Sequence, residues 1–371
     1  MPKLLYLVTE DWFFVSHFLP MAREARAMGF EVVVATRVRE QAMRIEAEGF
    51  RVVPLEGERR SLGPVEVVRA FTRIARIVRA ERPDLVHCVA LRMVALGAFA
   101  ARCGGARRLV LAPTGLGTLW SADSAVSHVA RALLRVVIGK WLRGPQTRYL
   151  FENTDDAHEF GLSGPEVTIV PGAGVDPNDF PPSPEPPAPP LKVAVVARMI
   201  AAKGIEDAVT AVRRARALGA AVELDLYGPP DPSNPRSCSE VELTTWSAEP
   251  GIAWRGRTAD VAEVWRTHHV AMLLTWYREG VPRSLIEAAA SGRPIVTTDS
   301  PGCRDLVRDH QEGRLVPLRD TEAAARALVE LAADPELRKR LGQAAQKRFQ
   351  NGYTEVVVRQ AVRAAYAAFR L

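Results

Sequence analysis

The stretch YREGVPRSLIEAAASGRPIVTTD, residues 277–299, contains the signals that decide the fold class. Its first residues are polar and include a glycine, which is typical of a loop. Pro282 suits the first turn of a helix, because its φ is fixed and it has no N–H. A helix is predicted over residues 284–291, with Gly292 as a left-handed stop, and residues 295–298 then have the composition of a short buried strand. A loop, a helix and a strand in this order are typical of an α/β sheet.

Two pairs of charged residues accompany predicted helix starts in this half of the chain. Glu279 lies in the loop and Glu287 in the helix, while Arg198 ends a predicted strand and Lys203 lies just before another helix. Helix N-termini bind phosphate, and two cations around such a start can clamp a diphosphate. Carboxylates accept hydrogen bonds from sugar hydroxyls. The alternative is an ordinary loop and helix with two surface glutamates.

These residues carry a resemblance to a known family. The E-x7-E spacing of the two glutamates and the R-x4-K spacing of the arginine and lysine resemble the signatures of retaining glycosyltransferases of family 4. The resemblance implies the GT-B fold, an α/β architecture of two Rossmann-like doubly wound parallel-sheet domains facing across a cleft. TEDWFFVSH, residues 9–17, and TGLG, residues 114–117, are similar to a subgroup of polyprenyl-diphosphate-sugar N-acetylgalactosaminyltransferases of bacterial glycan assembly. The resemblance extends as far as PGCRDLV, residues 301–307.

The resemblance also implies a UDP-sugar as co-substrate, with an N-acetylhexosamine as the sugar and no metal or other cofactor. Arg198 and Lys203 would neutralise the charge that grows on the leaving nucleoside diphosphate. A same-face substitution, in which the departing phosphate takes the acceptor proton, needs no nucleophile. Glu279 would bind the donor sugar and Glu287 the ribose. The implied donor-binding residues are Arg198, Lys203, Gly228, Arg257, Glu279, Gly280, Val281 and Glu287, and the implied catalytic residues are Glu279, Arg198, Lys203 and His17.

The strand–helix alternation occurs twice along the 371 residues, a length that suits two domains. Between the two lies PPSPEPPAPP, residues 181–190, whose proline content predicts a stiff linker. The predicted domains are residues 1–180, which would bind the acceptor, and residues 191–354, which would bind the nucleotide sugar. By resemblance, a terminal helix at about residues 355–371 returns to the first domain. No G-x-G-x-x-G follows either leading strand, which disfavours a dinucleotide dehydrogenase.

Polar residues at the predicted strand ends of the first domain form the candidate acceptor site, because ligands of such sheets lie at the carboxyl ends of the strands. His17 is either a functional group or a core histidine, and Arg92 is either a ligand of a lipid diphosphate or a surface arginine. A carboxylate at position 10 or 11 would act as a base, bind hydroxyls or cap a helix. The candidate acceptor-binding residues are Glu10, Asp11, His17, His87, Arg92, Thr114 and Gly115.

The charge distribution favours an anionic partner. The net charge is +6, but residues 59–148 hold 16 arginine and lysine residues against four acidic ones. This surplus predicts contact with a lipid-linked diphosphate or an anionic membrane surface, or it is the solvated helix face of an arginine-rich protein. Nucleic acid is disfavoured because no binding motif for it appears. Residues 121–143 alternate apolar residues with Arg131, Arg135 and Arg143 at helical spacing. This helix either lies on a membrane or packs on the sheet.

Other patterns exclude further classes. The four cysteines lack CxxC pairing and the seven histidines are dispersed, so no metal site is expected. The first residues, MPKLLYLVTEDW, lack a signal-peptide pattern, and no apolar run reaches the roughly 18 residues of a membrane span. The sequence therefore predicts a cytoplasmic protein, peripheral at the inner membrane face. The alternatives to a lipid-linked acceptor are a soluble acceptor, a GT-B UDP-sugar epimerase and a non-catalytic nucleotide-sugar-binding protein.

Overall fold

The fold is that of a computed structural model, which describes residues 1–55, 63–232 and 234–370. The chain forms two compact units, of which the first is Met1–Gly174 with Glu355–Leu371 and the second is Val175–Thr354. The chain divides after Gly174, whereas the sequence analysis placed the boundary after residue 180. Arg59 and Arg60 of the predicted basic region lie outside the described residues.

The first unit is built on a parallel sheet, which has seven strands within the described part of the chain. The strands are β1 (Lys3–Glu10), β2 (Glu31–Arg37), β3 (Arg51–Pro54), β4 (Leu85–Val89), β5 (Leu109–Ala112), β6 (Thr147–Phe151) and β7 (Val167–Ile169). Their order is β3-β2-β1-β4-β5-β6-β7, so the carboxyl ends of β1, β2 and β4 lie side by side. Such neighbouring ends are where ligands bind in doubly wound sheets.

Helices cover both faces of this sheet, which explains why its strands are nearly continuous apolar runs. Leu5 and Leu7 belong to the apolar cluster on one face, and Leu4 and Tyr6 to the cluster on the other. The helices are α1 (Asp11–Phe13), α2 (Leu19–Ala27), α3 (Ala42–Ala47), α4 (Pro64–Glu81), α5 (Ala90–Arg92), α6 (Ala98–Cys103), α7 (Gly117–Ser121), α8 (Ala125–Val136) and α9 (Thr154–Glu159). Three π-helical turns, Phe14–Phe18, Met93–Gly97 and Val137–Trp141, interrupt them.

The second unit also contains a parallel sheet, with six strands among the residues described. They are β8 (Leu191–Val196), β9 (Val222–Tyr227), β10 (Ile252–Gly256), β11 (Val270–Leu273), β12 (Ile295–Thr298) and β13 (Gly313–Val316), in the order β10-β9-β8-β11-β12-β13. The helices are α10 (Ile205–Ala217), α11 (Glu240–Ser247), α12 (Val261–Thr267), α13 (Arg283–Ala290), α14 (Cys303–Leu306), α15 (Thr321–Ala333) and α16 (Pro335–Gly352). The prediction of a loop, a helix and a strand at residues 277–299 is confirmed by α13 and β12.

The proline-rich segment at residues 181–190 belongs to the second unit, whereas the sequence analysis placed it between two domains as a stiff linker. The guanidinium of Arg293 is buried and donates to Ser183 Oγ at 2.5 Å and to the Pro184 carbonyl at 3.0 Å. His269 Nε2 lies 2.9 Å from the Pro186 carbonyl oxygen. The prolines exclude regular structure, but their carbonyl groups still accept hydrogen bonds, so distant side chains hold the segment in place.

The last helix, α17 (Glu355–Ala367), belongs to the first unit and is held there by buried polar rings. The Tyr366 hydroxyl lies 2.7 Å from the Tyr6 hydroxyl and 2.7 Å from His87 Nδ1. The His87 ring also stacks on Tyr6, with ring centres 4.8 Å apart. His87 lies inside β4 and is fully buried, so the expectation that it faces a bound acceptor is corrected. It is a core residue that anchors α17.

Acidification is expected to destabilise the first unit through His87. Burial lowers the pKa of His87 to about 3, so the unfolded chain takes up a proton at a higher pH than the folded unit does. Above about pH 6.5 the free energy of unfolding does not change on account of His87. Below that pH it falls by about 1.4 kcal/mol for each pH unit, down to about pH 3. Urea unfolding at several pH values between about 4 and 7 measures the slope.

The variant His87→Gln keeps a polar group near Tyr366 but does not titrate. Unfolding of this variant should therefore take up about one proton fewer, so its unfolding free energy should depend less steeply on pH. His128→Gln changes an exposed histidine of the same unit and should keep the slope of the parent protein. Equal slopes for His87→Gln and the parent would show that His87 is not the titrating group.

In the described ranges, no helix combines the length and the apolar character needed to cross a bilayer.

Candidate functional site

In the second unit, a turn at the carboxyl end of β8 carries the two cations singled out in the sequence. Arg198 follows β8, and Lys203 ends the 3₁₀ turn Ala201–Lys203. Gly204 comes next with φ +70°, and a Cβ atom there would lie 2.0 Å from the carbonyl oxygen of Leu274. Only glycine allows this close approach, which places the turn against the end of β11.

Lys203 and Glu279 form an ion pair at this edge of the sheet. Their side chains are only 14% and 12% exposed, and the Lys203 ammonium lies 5.4 Å from the centre of the Tyr277 ring. Burial acts to lower the pKa of Lys203, but the charges of Glu279 and Tyr277 outweigh it and raise the pKa above its ordinary value. Lys203 is therefore a permanently charged group in a partly desolvated position.

Glu279 has a second carboxylate oxygen that the ion pair does not use. Its Oε1 atom is buried and has no hydrogen-bond partner among the described residues. Buried carboxylate oxygens are rarely left without a hydrogen-bond donor, so this atom can accept a hydrogen bond from a hydroxyl group of a ligand.

The loop that follows Glu279 is packed tightly before α13. Gly280 and Val281 are buried, and Pro282 stands just outside the helix with an extended backbone rather than in its first turn. Gly302 has φ +83°, and a Cβ atom there would lie 2.1 Å from the Gly280 carbonyl oxygen. The loop is thus braced by backbone contact, with the positive end of the α13 dipole behind it.

The other predicted donor residues lie on the same unit. Arg198 pairs with Asp231 at 2.5 Å, a partner that the sequence analysis missed. Glu287 is buried and pairs with Arg283 at 2.7 Å, while burial raises its pKa. Gly228 has φ +141°, and a Cβ atom there would clash with the Ala197 carbonyl oxygen. Arg257 is an exposed residue that follows β10.

In the first unit, the ends of β1, β2 and β4 bring together two arginines and one carboxylate. Arg37 Nη1 lies 3.3 Å from Glu10 Oε1, and Glu10 is buried. Burial lowers the pKa of Arg92, and so does the charge of Arg37, while Glu10 raises it. Both arginines therefore lie near Glu10 and leave an excess of positive charge. Arg37 was not predicted, because only the strand order shows that the last residue of β2 adjoins Glu10.

Asp11 has a structural contact instead of the predicted acceptor contact. Its carboxylate is fully buried, and Oδ2 accepts the backbone N–H groups of Arg39 at 2.6 Å and Gln41 at 3.0 Å. The side chain fastens the loop after β2, in the way that aspartates commonly satisfy loop N–H groups. The expectation that Asp11 binds an acceptor is corrected.

His17, Thr114 and Gly115 occupy the carboxyl edge of the first sheet. His17 is half-buried in the first π-helical turn, with Nδ1 2.7 Å from Ser16 Oγ and its ring stacked on Phe13. Such turns occur often at functional sites. Thr114 and Gly115 follow β5 with φ +54° and +92°, so two consecutive residues have left-handed backbone.

Neither edge resembles a metal centre. In the described part of the chain, no group of three or more histidine, cysteine, aspartate or glutamate side chains is placed to hold a metal ion. The charged groups present suit anion binding in the second unit and binding of an anion and hydroxyls in the first.

Comparisons with known families decide the class of the protein. Residues 3–138 match the model of "glycosyl transferase 4-like" domains, and residues 190–334 match that of "glycosyl transferases group 1". The chain belongs to the family 4 glycosyltransferases. The two matches fall in the first and the second unit, so the glycosyltransferase consists of two family domains in the order that the sequence resemblance implied.

Two curated relatives of the glycosyltransferase come from bacteria and carry glycosyltransferase names. One is the N,N'-diacetylbacillosaminyl-diphospho-undecaprenol α-1,3-N-acetylgalactosaminyltransferase of Campylobacter jejuni, 22% identical over 364 residues and covering 93% of both chains. Another is the putative glycosyltransferase EpsD of Bacillus subtilis, 23% identical over 362 residues, which cover 93% of this chain and 91% of EpsD.

Solved structures show the same fold. The sucrose-phosphate synthase of Thermosynechococcus elongatus superposes with a TM-score of 0.81 at 17% identity, covering 100% of this chain and 99% of that one. HepE of Anabaena, solved with UDP and glucose, superposes with a TM-score of 0.76 at 17% identity, covering 97% and 98%. The glycosyltransferase thus has the GT-B fold of two parallel-sheet α/β domains.

Proposed function

We propose that this glycosyltransferase moves a sugar, an N-acetylhexosamine, from a UDP-sugar to a sugar on a lipid diphosphate in bacterial surface polysaccharide or glycan synthesis. The reaction would retain the anomeric configuration and need no metal. The observation that carries the proposal is the largely buried ion pair of Lys203 and Glu279, with Arg198 at the start of the same turn. This arrangement offers fixed positive charge and a hydroxyl acceptor at one strand edge.

The chemistry follows from where the charge develops. The bond between the anomeric carbon and the β-phosphate oxygen breaks, and the bond to the acceptor oxygen forms on the same face. The acceptor proton passes to the departing phosphate. Lys203 and Arg198 would stabilise the phosphate charge, and because Lys203 is already held by Glu279, little reorganisation would be needed. The N–H groups of Gly280 and Val281 would bind the β-phosphate.

Glu279 and Glu287 would bind opposite ends of the donor. The unused Oε1 of Glu279 would accept a hydrogen bond from a hydroxyl group of the sugar. Glu287 would accept hydrogen bonds from the ribose hydroxyl groups, which would replace part of its ion pair with Arg283. Gly228 and Arg257 would border the base. Structures of HepE with UDP and with UDP-glucose support UDP as the nucleotide, since that protein has the same fold.

The proposed acceptor site is the carboxyl edge of the first sheet. Arg37 and Arg92 would bind a phosphate of the lipid diphosphate. Glu10 would accept hydrogen bonds from the hydroxyl groups of the sugar that the lipid diphosphate carries. His17 would orient the acceptor hydroxyl, with Thr114 and Gly115 at the border of the site. The diphospho-undecaprenol in the name of the Campylobacter relative supports an acceptor of this class. Such an acceptor implies peripheral contact of a cytoplasmic enzyme with the inner membrane face.

The decisive experiment has two stages. A panel of UDP-sugars in a thermal-shift assay identifies the donor, because a bound ligand raises the apparent stability by mass action. That donor is then incubated with a detergent-solubilised polyprenyl-diphosphate-linked sugar or a soluble sugar, without added metal and with chelator. Transfer only to the lipid-linked sugar supports the proposal. Transfer to the soluble sugar, or conversion of the UDP-sugar without an acceptor, would select one of the alternatives.

Replacing Arg92 by alanine is expected to raise the KM for the lipid-linked acceptor about tenfold or more. The reason is that a charge-assisted hydrogen bond to phosphate contributes about 1.5 to 3 kcal/mol. The UDP-sugar affinity should not change, because Arg92 lies in the first unit and the proposed donor site in the second. Arg69→Ala removes a largely exposed arginine of the same unit and serves as the control. An unchanged acceptor KM in Arg92→Ala would rule out this contact.

A further inference from the structure

Helix α8 has an inward apolar face that packs on the first unit and an outward apolar face that the described part of the chain leaves exposed. The inward face continues into Val137 and Ile138, which are buried in the core of the first unit. On the outward face, Val126, Val129 and Leu133 are 79%, 70% and 57% exposed, and Val136 extends the same line. The spacing of three, four and three residues places these side chains on one stripe along the helix.

The outward stripe does not stabilise the helix itself. Valine is a weaker helix former than the polar residues that usually occupy exposed helix positions. Val126, Val129 and Leu133 leave more than half of their surface exposed and Val136 about a third, so neither propensity nor packing within the described residues accounts for the stripe. Contiguous exposed apolar side chains mark a surface that contacts another apolar phase or a partner.

Basic and aromatic residues surround the stripe. Helix α8 contains no acidic residue, and Lys140 and Trp141 beyond its end are both exposed. Arg131 and Arg135 form contacts within the unit, Arg131 with the Ser127 carbonyl and Arg135 with Glu159. The sequence analysis left open whether this helix lies on a membrane or packs on the sheet, and these contacts show that two of its arginines are partly engaged within the unit. Exposed tryptophan beside lysine is typical of residues at a membrane interface.

A second helix presents apolar residues in the same layer of the first unit. Val65 and Val68, in the first turns of α4, are 59% and 61% exposed. Helices α4 and α8 lie on the same face of the sheet, since both pack into the same apolar cluster or lead directly into it. In a right-handed parallel crossover, the helix after a strand begins at the carboxyl edge of the sheet. The first turns of both helices, with Val65 and Val68 of α4 and Val126 and Val129 of α8, therefore lie towards the edge that carries Arg37 and Arg92.

We infer that the outward stripe of α8, Val126, Val129, Leu133 and Val136, inserts into the headgroup layer of an anionic bilayer, with Val65 and Val68 of α4 beside it. This inference deepens the proposed function, on which the choice of a lipid phase rests. The positive surplus of residues 59–148 is attracted to anionic lipid, whereas a second copy would bring like charges together. In this position the diphosphate of a membrane-bound acceptor is at the level of Arg37 and Arg92.

The test compares two triple variants in co-sedimentation with vesicles of phosphatidylglycerol and phosphatidylethanolamine that contain no acceptor. Val126, Val129 and Leu133 are changed to glutamine in the first variant, which keeps the net charge. The control carries the same change at Leu218, Val241 and Leu318, exposed apolar residues of the second unit. The stripe variant should bind the anionic vesicles at least about tenfold more weakly than the parent protein, and the control variant should bind them as well as the parent does. Vesicles of pure phosphatidylcholine should bind less of the parent protein than the anionic vesicles do.

Each outcome decides the inference separately from the reaction. Because the changed side chains are exposed, both variants should keep the thermal unfolding and the UDP-sugar shift of the parent. Vesicle binding that is equal in all three proteins would overturn the inference, even if transfer to a detergent-solubilised acceptor were found. A parent that ignores vesicles and forms a dimer lost in the stripe variant would overturn it in favour of self-association. Stripe-dependent binding without any transfer would leave the inference intact and contradict the proposed function alone.

Discussion

Replacing Lys203 by alanine should lower kcat for sugar transfer by about 10²- to 10³-fold, the loss observed when one preorganised group that stabilises transition-state charge is removed. Lys203 is largely buried beside Glu279, whose charge raises the Lys203 pKa against the effect of burial, and in the proposed reaction it stabilises the phosphate as negative charge accumulates there. The effect should appear mainly in kcat, because the charge that Lys203 stabilises grows during bond breaking. Steady-state rates with a saturating acceptor measure it.

Two further variants separate catalysis from folding. Lys192→Ala, at the opposite end of β8, should leave kcat unchanged. Lys203→Ala also leaves the Glu279 carboxylate without its cation, which costs stability on its own account. The double variant Lys203→Ala with Glu279→Gln removes that charge, so its stability should recover while its kcat stays low. Recovery of kcat in the double variant would show that Lys203 serves only to neutralise Glu279.

Replacing Gly302 by alanine should weaken UDP-sugar binding about a hundredfold. The new Cβ atom would lie 2.1 Å from the Gly280 carbonyl oxygen and 2.9 Å from that of Glu279, so the loop before α13 must move. The N–H groups of Gly280 and Val281 are the proposed ligands of the β-phosphate, and a displaced backbone cannot reproduce their positions. Titration with UDP, followed by thermal shift or calorimetry, measures the loss.

Gly219→Ala is the matched control for this loop. Gly219 also has positive φ, +90°, but a Cβ atom there would have no neighbour within 4 Å. It should therefore show only the strain of a left-handed alanine, about 1 to 2 kcal/mol of stability, with normal UDP affinity. If Gly302→Ala bound UDP as well as Gly219→Ala does, the loop before α13 would not be the phosphate site.

Much of the fold follows from local sequence patterns. Strands of a parallel sheet covered on both faces are short apolar runs, and the segments around β8 and β12 have this character. The loop and helix around α13 were predictable because glycine and proline mark their ends. The sequence analysis also singled out Arg198, Lys203 and Glu279, because they follow strands and adjoin helix starts; the structure pairs Lys203 with Glu279, and their role as donor ligands stays a prediction.

The errors concern residues whose partners lie far away in the sequence. His87 was predicted at a strand end, but the strand continues beyond it and its partner Tyr366 is 279 residues away. The proline-rich segment was predicted to be a stiff linker between two domains, because its own residues cannot reveal the buried Arg293 that donates to the Pro184 carbonyl and holds it in the second unit. Arg37 was missed for a similar reason, since its proximity to Glu10 depends on which strands are neighbours.

The return of α17 to the first sheet also affects how the protein is made. Tyr366 contacts Tyr6 and His87, yet it is synthesised only after the whole segment Val175–Thr354. Domains generally fold as units during synthesis, beginning at the N-terminus. Here the first unit would keep part of its apolar surface uncovered while all of Val175–Thr354 is translated, so a nascent chain released early would expose that surface to chaperones and proteases.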